Sequence, residues 1–296
     1  MERSLIHEVE LLVDAKALVG EGPIWNSRQN VLIWLDIEGE KIFVYDPATK
    51  HNRLIKLDQK IGTIVVRKSG GWLVAGERGF ALLDPDTEQV EPWSDPESHL
   101  PNNRFNDGKC DPAGRFWAGT MPFGFGEPSG ALYCLDKDRS VRCMVREVTC
   151  SNGIAWSADA KTMYFIDSMT QNVDAFDFDL ETGQIGNRRT IISIPHDQGF
   201  PDGMTIDSED NLWVAQWGGY RVACFNPQTG REIDRIDMPV AQVSACWFGG
   251  RDLDELYITS ARTDLDATAL EKEPHAGGLF RAKPGAKGRL AAEFDG

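Results

Sequence analysis

The chain has 296 residues, 41% of them hydrophobic, with 29 glycines and 15 prolines. That composition describes a turn-rich globular protein and excludes a disordered, collagenous or fibrous one. A net charge of -15, from 31 Lys+Arg against 46 Asp+Glu, repels phosphate backbones and anionic bilayers, so neither nucleic acid nor a membrane is an expected partner.

No apolar run reaches the roughly 18 to 20 residues of a membrane span. The start, Met1 to Glu8, lacks the apolar stretch of a signal peptide, so a cytoplasmic location is expected. The six cysteines (Cys110, Cys134, Cys143, Cys150, Cys224, Cys246) form no C-x-x-C pair. They read as free thiols buried as small hydrophobes in a reducing compartment.

In chain order, a short apolar segment, Val9–Val13, precedes a pattern that recurs six times. Each copy has a polar-Gly start, a short apolar strand, a turn rich in Asp, Ser, Gly or Asn, an aromatic strand, and a further strand closed by an Asp-Pro or Thr-Gly type of turn. The first copy opens at Gly20-Glu21-Gly22 and continues through strands 31–36 and 42–45 to Asp46-Pro47. The second opens at Ile61-Gly62-Thr63, with strands 72–76 and 80–83. The third opens at Asn106-Asp107-Gly108, with strands 115–119 and 131–135. The fourth opens at Ser151-Asn152-Gly153, with strands 162–167 and 173–177; the fifth at Pro201-Asp202-Gly203, with strands 211–215 and 221–225. The sixth opens near Val243–Trp247, with strands 255–259 and 278–281.

The ends of the second strands, Asp36, Ala75, Gly119, Asp167, Gln216 and Ser260, lie 39, 44, 48, 49 and 44 residues apart, the period of a propeller blade. The expectation is an all-β, single-domain protein spanning 1–296: a six-bladed β-propeller of four-stranded antiparallel blades. Val9–Val13 is expected to add the outer strand of the last blade, closing the ring without an exposed sheet edge. A ring that covers its own edges is expected to be a monomer.

In a propeller the innermost strands line a central channel, and their starts meet at one mouth. Glu21, the Asn106-Asp107 pair, Asn152 and Asp202 all stand just before a glycine at such starts. Carboxylates and amides are hard oxygen ligands suited to calcium, magnesium or manganese rather than to a thiolate-preferring ion. The neighbouring glycines permit close backbone approach or positive φ beside the site. Nucleophile-elbow, P-loop, zincin and dinucleotide motifs are absent. His196, in Pro195-His196-Asp197, reads as an exposed loop residue or a contact at the rim. Asp252–Glu255 and Asp264–Asp266 lack the EF-hand pattern and read as solvated turns. Trp25, Trp72, Trp117 and Trp213 fall on strand positions that pack blade against blade.

Four ordered motifs, Gly20-Glu21-Gly22-Pro23, Arg104–Met121, Ser151-Asn152-Gly153-Ile154-Ala155-Trp156-Ser157 and Pro201-Asp202-Gly203-Met204, make the whole chain resemble the SMP-30/gluconolactonase family of regucalcin-like sugar lactonases. The resemblance implies one divalent ion (calcium, zinc, magnesium, manganese or iron) held by Glu21, Asn152 and Asp202, with substrate hydroxyls held by Arg104 and Asn106. It also implies hydrolysis of a five- or six-carbon aldonolactone to the open acid. Asp202, one of two carboxylates in that set, is the expected general base. Members of the family carry a further substrate-contacting glutamate in the loop after the Gly-Thr-Met motif. Here that loop reads Pro122-Phe123-Gly124-Phe125-Gly126-Glu127, so Glu127 is offset, and the apolar loop implies a different sugar preference. A non-catalytic calcium-binding regulatory propeller is the alternative. It would share the ion site but has no need of Arg104 and Asn106; a related propeller hydrolase for phosphotriesters or non-sugar lactones is a third reading.

Overall fold

A computed structural model describes residues 7–124 and 126–296. The first six residues, and Phe125 in the loop before Glu127, lie outside the described residues. The strands form six four-stranded antiparallel sheets, each running from an innermost to an outermost strand. The innermost strands are Gly20–Asn26, Ile61–Val66, Asn103–Cys110, Ser151–Trp156, Phe200–Ile206 and Val243–Gly249, which define blades 1 to 6. Val9–Val13 pairs antiparallel with Leu279–Ala282 and supplies the outer strand of blade 6, as expected.

The inner strands are largely buried on both faces because a neighbouring blade covers each side. Ile61–Val66 and Ser151–Trp156 are buried at every position, whereas the outer strand Arg231–Asp237 is mostly exposed. Side chains from facing blades build a ring of buried clusters. One joins blades 3 and 4 through Trp117, Trp156 and Phe165, and another closes blade 6 on blade 1 through Trp25, Trp34 and Tyr257. The strand tryptophans Trp25, Trp72, Trp117 and Trp213 are all buried, and the cysteines are free, five of them buried. No helix among the described residues is long and apolar enough to cross a membrane.

The pairing of inner with second strand contains one irregularity that recurs in every blade. Glu21 faces Leu35 but Ile24 faces Ile33; Phe105 faces Thr120 but Gly108 faces Ala118; Ser151 faces Asp167 but Ile154 faces Phe165; Pro201 faces Gln216 but Met204 faces Val214. Blades 2 and 6 shift in the same place, after Ile61 and after Val243. In each case the inner strand carries one extra residue, a β-bulge that re-aims the side chains around it.

At the other end of the inner strands the hairpins are closed by side chains. Asp111 accepts from the backbone N–H groups of Ala113 (2.9 Å) and Arg115 (3.0 Å), from Arg115 Nε (2.7 Å) and from Trp117 Nε1 (3.0 Å). Asp207 does the same in blade 5, accepting from the Glu209 and Asn211 amides and from Trp213 Nε1 (3.0 Å). Across this lower end runs residues 283–296, a segment without regular structure. It is fixed by backbone bonds from Ser208 to Lys287 (2.7 Å), Gly288 to Leu253 (2.8 Å), Phe294 to Val66 (2.9 Å) and Asp295 to Gly114 (3.0 Å). These partners belong to blades 5, 6, 2 and 3, so the segment spans the underside of the channel.

Candidate metal and substrate site

The bulges place Glu21, Asn106, Asn152 and Asp202 at the upper end of the channel, where all four are buried, with relative exposures of 5, 7, 4 and 7%. Gly22 takes φ 52°, in the left-handed region that a side chain would strain, and this frees its N–H to donate to Glu21 Oε2 at 2.7 Å. Gly153 serves by its lack of bulk. A Cβ there would stand 2.5 Å from Met204 Cβ and 2.9 Å from the Asp202 carbonyl oxygen, so glycine lets the blade 4 and blade 5 inner strands close around the site.

A chain of hydrogen bonds ties blade 3 to blade 4. Arg104 donates to Asn106 Oδ1 (2.6 Å) and to the Phe105 carbonyl (3.0 Å). Asn106 Nδ2 donates to Asn152 Oδ1 (3.1 Å) and to the Ser151 carbonyl (2.8 Å). Asn152 Nδ2 in turn donates to Ser168 Oγ at 2.8 Å. With its nitrogen committed to Ser168 and its Oδ1 accepting one bond from Asn106, Asn152 retains a second lone pair on that oxygen for a further partner.

Two carboxyls stand here without a basic partner. Neither Glu21 nor Asp202 has a Lys, Arg or His nitrogen within 4.0 Å among the described residues. Burial pushes Glu21 up to about 8, with the Asp107 carboxylate adding to the effect and the Gly22 N–H opposing it. Asp202 is raised well above the usual carboxylate range by burial first, then by Glu21 and Asp107. Asp107 is itself raised by burial and held back by Lys109. Burial lowers Arg104, while the charges of Glu38, Glu21 and Glu77 pull it back up. A dication beside Glu21 and Asp202 would remove both the repulsion and the desolvation penalty, so these residues with Asn152 fit a hard divalent ion. No three His, Cys, Asp or Glu side chains gather as a cluster that could hold a metal among the described residues; this set has two acids and an amide.

Asp107 lines the narrow channel just below, with Lys109, so the third-blade pair splits between two levels. Glu127 lies exposed on the loop beyond Pro122, and its carboxylate makes no hydrogen bond or ion pair among the described residues. The rim there is Phe123, 40% exposed, with Lys60 Nζ 5.1 Å from its ring centre and paired to Glu38 at 2.8 Å. His196 is exposed, its Nδ1 2.9 Å from Gln171 Nε2. In the sixth blade, Glu255 is paired to Arg281 and Lys283, and Asp266 caps a short helix, Ala267–Lys272, by accepting from Ala269 N at 2.8 Å.

Sequence reasoning passed over three supports. Ser168 fixes the Asn152 amide, and nothing in its local pattern marks it. Asp36 and Asp167, noticed only as repeat markers, are buried acids. Asp36 accepts from Val19 N (3.1 Å) and Asp167 from the Thr149 and Cys150 amides (both 2.9 Å), which anchors the segments leading into Glu21 and Asn152. Their signal was available: an acid at the end of an otherwise apolar strand, twice at the same phase.

Comparison with known proteins agrees with this architecture. The sequence profile described as SMP-30/Gluconolactonase/LRE-like region matches residues 19–262. The chain is 39% identical to regucalcin of Xenopus laevis over 98% of its own length and 99% of that protein. Among solved structures it is similar to a luciferin-regenerating enzyme, with 35% identity, TM-score 0.92 and coverage of 98% and 99% of the two chains. A calcium-binding protein, regucalcin, from Agrobacterium tumefaciens superposes with TM-score 0.94 at 26% identity, covering 99% of each chain.

Proposed function

The chain belongs to the SMP-30/gluconolactonase/LRE-like family, and from that membership we propose that it is a metal-dependent hydrolase of five- or six-carbon sugar aldonolactones. The observation that carries this reading is the pairing of two uncompensated buried carboxyls, Glu21 and Asp202, with an organised donor group, Arg104 and Asn106, at the same mouth. An ion binder needs the first and has no use for the second.

Glu21, Asn152 and Asp202 would hold the ion, which when bound supplies Lewis-acid polarisation of the lactone carbonyl. The remaining work belongs to the side chains. Arg104, pinned on one side by the Phe105 carbonyl and Asn106, has its planar guanidinium set at a fixed angle, ready to donate to ring hydroxyls and to the oxygen that gains charge as the carbonyl is attacked. Asn106 is held by Ser151 and Asn152 and orients the same hydroxyls. Asp202 accepts the proton of the attacking water and returns it to the departing ring oxygen, opening the lactone to the acid. Burial of the site excludes bulk water from the competing positions.

The test is acid release from a panel of five- and six-carbon aldonolactones by metal-stripped protein, with single divalent ions added back. Ion-dependent hydrolysis of at least one lactone is expected. Tight ion binding with no hydrolysis of any lactone would leave the calcium-binding alternative, which the description of the Agrobacterium relative as a calcium-binding protein favours.

A further inference from the structure

Beneath the mouth the channel narrows to a neck of about 10 Å³. Two charged side chains of blade 3 line it, Asp107 and Lys109, beside Gly22 and Gly203, which directly follow Glu21 and Asp202 in the chain. Asp107 therefore stands one tier below the two carboxyls of the candidate ion site. The bulge puts it there: Asn106 is drawn to Asn152 at 3.1 Å, and the residue after it enters the neck.

Neither charge in the neck is paired. Asp107, 7% exposed, accepts the Gly108 N–H at 2.6 Å and has no Lys, Arg or His nitrogen within 4.0 Å among the described residues. Lys109 donates to the Met204 carbonyl of blade 5 and lies 4.8 Å from the centre of the Trp247 ring of blade 6, with no carboxylate within 4.0 Å among the described residues. It braces three blades across the neck, and in doing so holds a positive charge beneath the place where a cation would sit. The two groups still feel one another. Burial lowers Lys109, with Asp107 the strongest charge opposing it, and burial raises Asp107, with Lys109 the first to oppose.

In a low-dielectric channel such charges act over several ångströms. Glu21 and Asp202 together match the charge of a divalent ion, but Lys109 alone would repel that ion from below. An ionised Asp107 makes the neck neutral as a whole. The one positive charge then left over is Arg104, at the mouth beside Asn106.

We propose that Asp107 is the electrostatic counterweight of the ion site: without ligating the ion, its carboxylate cancels the charge of Lys109 and thereby sets how tightly a multivalent cation is held. The proposal rests on Glu21, Asn152 and Asp202 as the ion ligands and not on lactone hydrolysis.

Calcium and lanthanum, each titrated by calorimetry into the metal-stripped full chain, are the probes. Asp107→Asn keeps the shape and an oxygen for the Gly108 N–H; it should weaken calcium binding by about 10- to 100-fold. Lanthanum should lose a larger factor, because Coulomb energy scales with the charge of the ion. Lys109→Met should instead tighten calcium binding, a result that no folding defect produces, and this arm stands even where Asp107→Asn does not fold. Equal calcium affinity in wild type and Asp107→Asn, the same factor lost for both ions, or weaker calcium binding by Lys109→Met would overturn the proposal. A wild-type protein that binds neither ion would instead remove the ion-site assignment on which it rests.

Discussion

The two ends of the six inner strands are built from the same residue types and behave oppositely. At the lower end, buried acids are fully employed: Asp111 and Asp207 each accept hydrogen bonds from two backbone amides and a tryptophan indole, and the hairpins they close pair in regular register. At the upper end, where every inner strand bulges, Glu21 and Asp202 are also buried, but no basic nitrogen lies within 4.0 Å of either among the described residues, and the charge of Asp107 raises both. A buried carboxylate that accepts several donors is structural, because its charge is satisfied. One left buried without a basic partner is uncompensated, and that lack of compensation, rather than acidity or burial alone, separates the candidate site from scaffold.

The sharpest way to break this contrast is at Asp202. Asp202→Asn should retain a divalent ion, measured by calorimetry, while lactone turnover falls by about 10²- to 10⁴-fold; full turnover would remove Asp202 as the base. Arg104→Lys keeps the charge but loses the planar fork, and kcat/KM for lactone should fall by about 10- to 100-fold, the worth of one charged hydrogen bond. Ser168→Ala releases the Asn152 amide and should weaken ion affinity by a factor on the order of 10 to 100, with the melting temperature of the metal-stripped protein nearly unchanged.

The pH dependence probes the same contrast without a mutation. Because Glu21 and Asp202 are raised in the folded state, with Glu21 at about 8, the folded metal-stripped protein holds protons that the unfolded chain has released. That contribution to stability is complete below the unfolded carboxyl value of about 4.5 and is lost as pH rises through the folded value. Melting temperature in chelator should therefore fall between about pH 5 and about pH 9, and a saturating divalent ion should remove the fall. A flat profile in chelator would mean the two acids are compensated after all. The smallest effect is expected at the lower end, where Asp207→Asn weakens the bonds from Asn211 and Trp213 and should lower the melting temperature by a few degrees, for about 1–3 kcal/mol. Its kcat/KM should be unchanged.

Much of the site was legible because propeller repeats put equivalent positions in equivalent places. Once Glu21, Asn152 and Asp202 are recognised as blade starts, their convergence on one axis follows from the repeat alone. The split of the Asn106-Asp107 pair was not legible. Strict alternation sends adjacent residues to opposite faces, and only the bulge between Phe105 and Gly108 sets Asn106 against Asn152 while Asp107 lines the channel. Ser168 was invisible for a related reason: it reaches Asn152 from 16 residues away, after the second strand has returned beside the first.

By itself, the sequence determined the number of blades, the closing role of Val9–Val13 and the identity of the oxygen-bearing residues at the mouth. Those features depend on periodicity and residue chemistry, which are local and repeat along the chain. Tertiary structure alone decided which buried acids are satisfied and which are not, and that residues 283–296 cross beneath the channel, bonded to blades 5, 6, 2 and 3. Charge compensation depends on which distant segments meet, and a chain with 46 Asp+Glu spread along its length carries no local mark of which of them will find a donor.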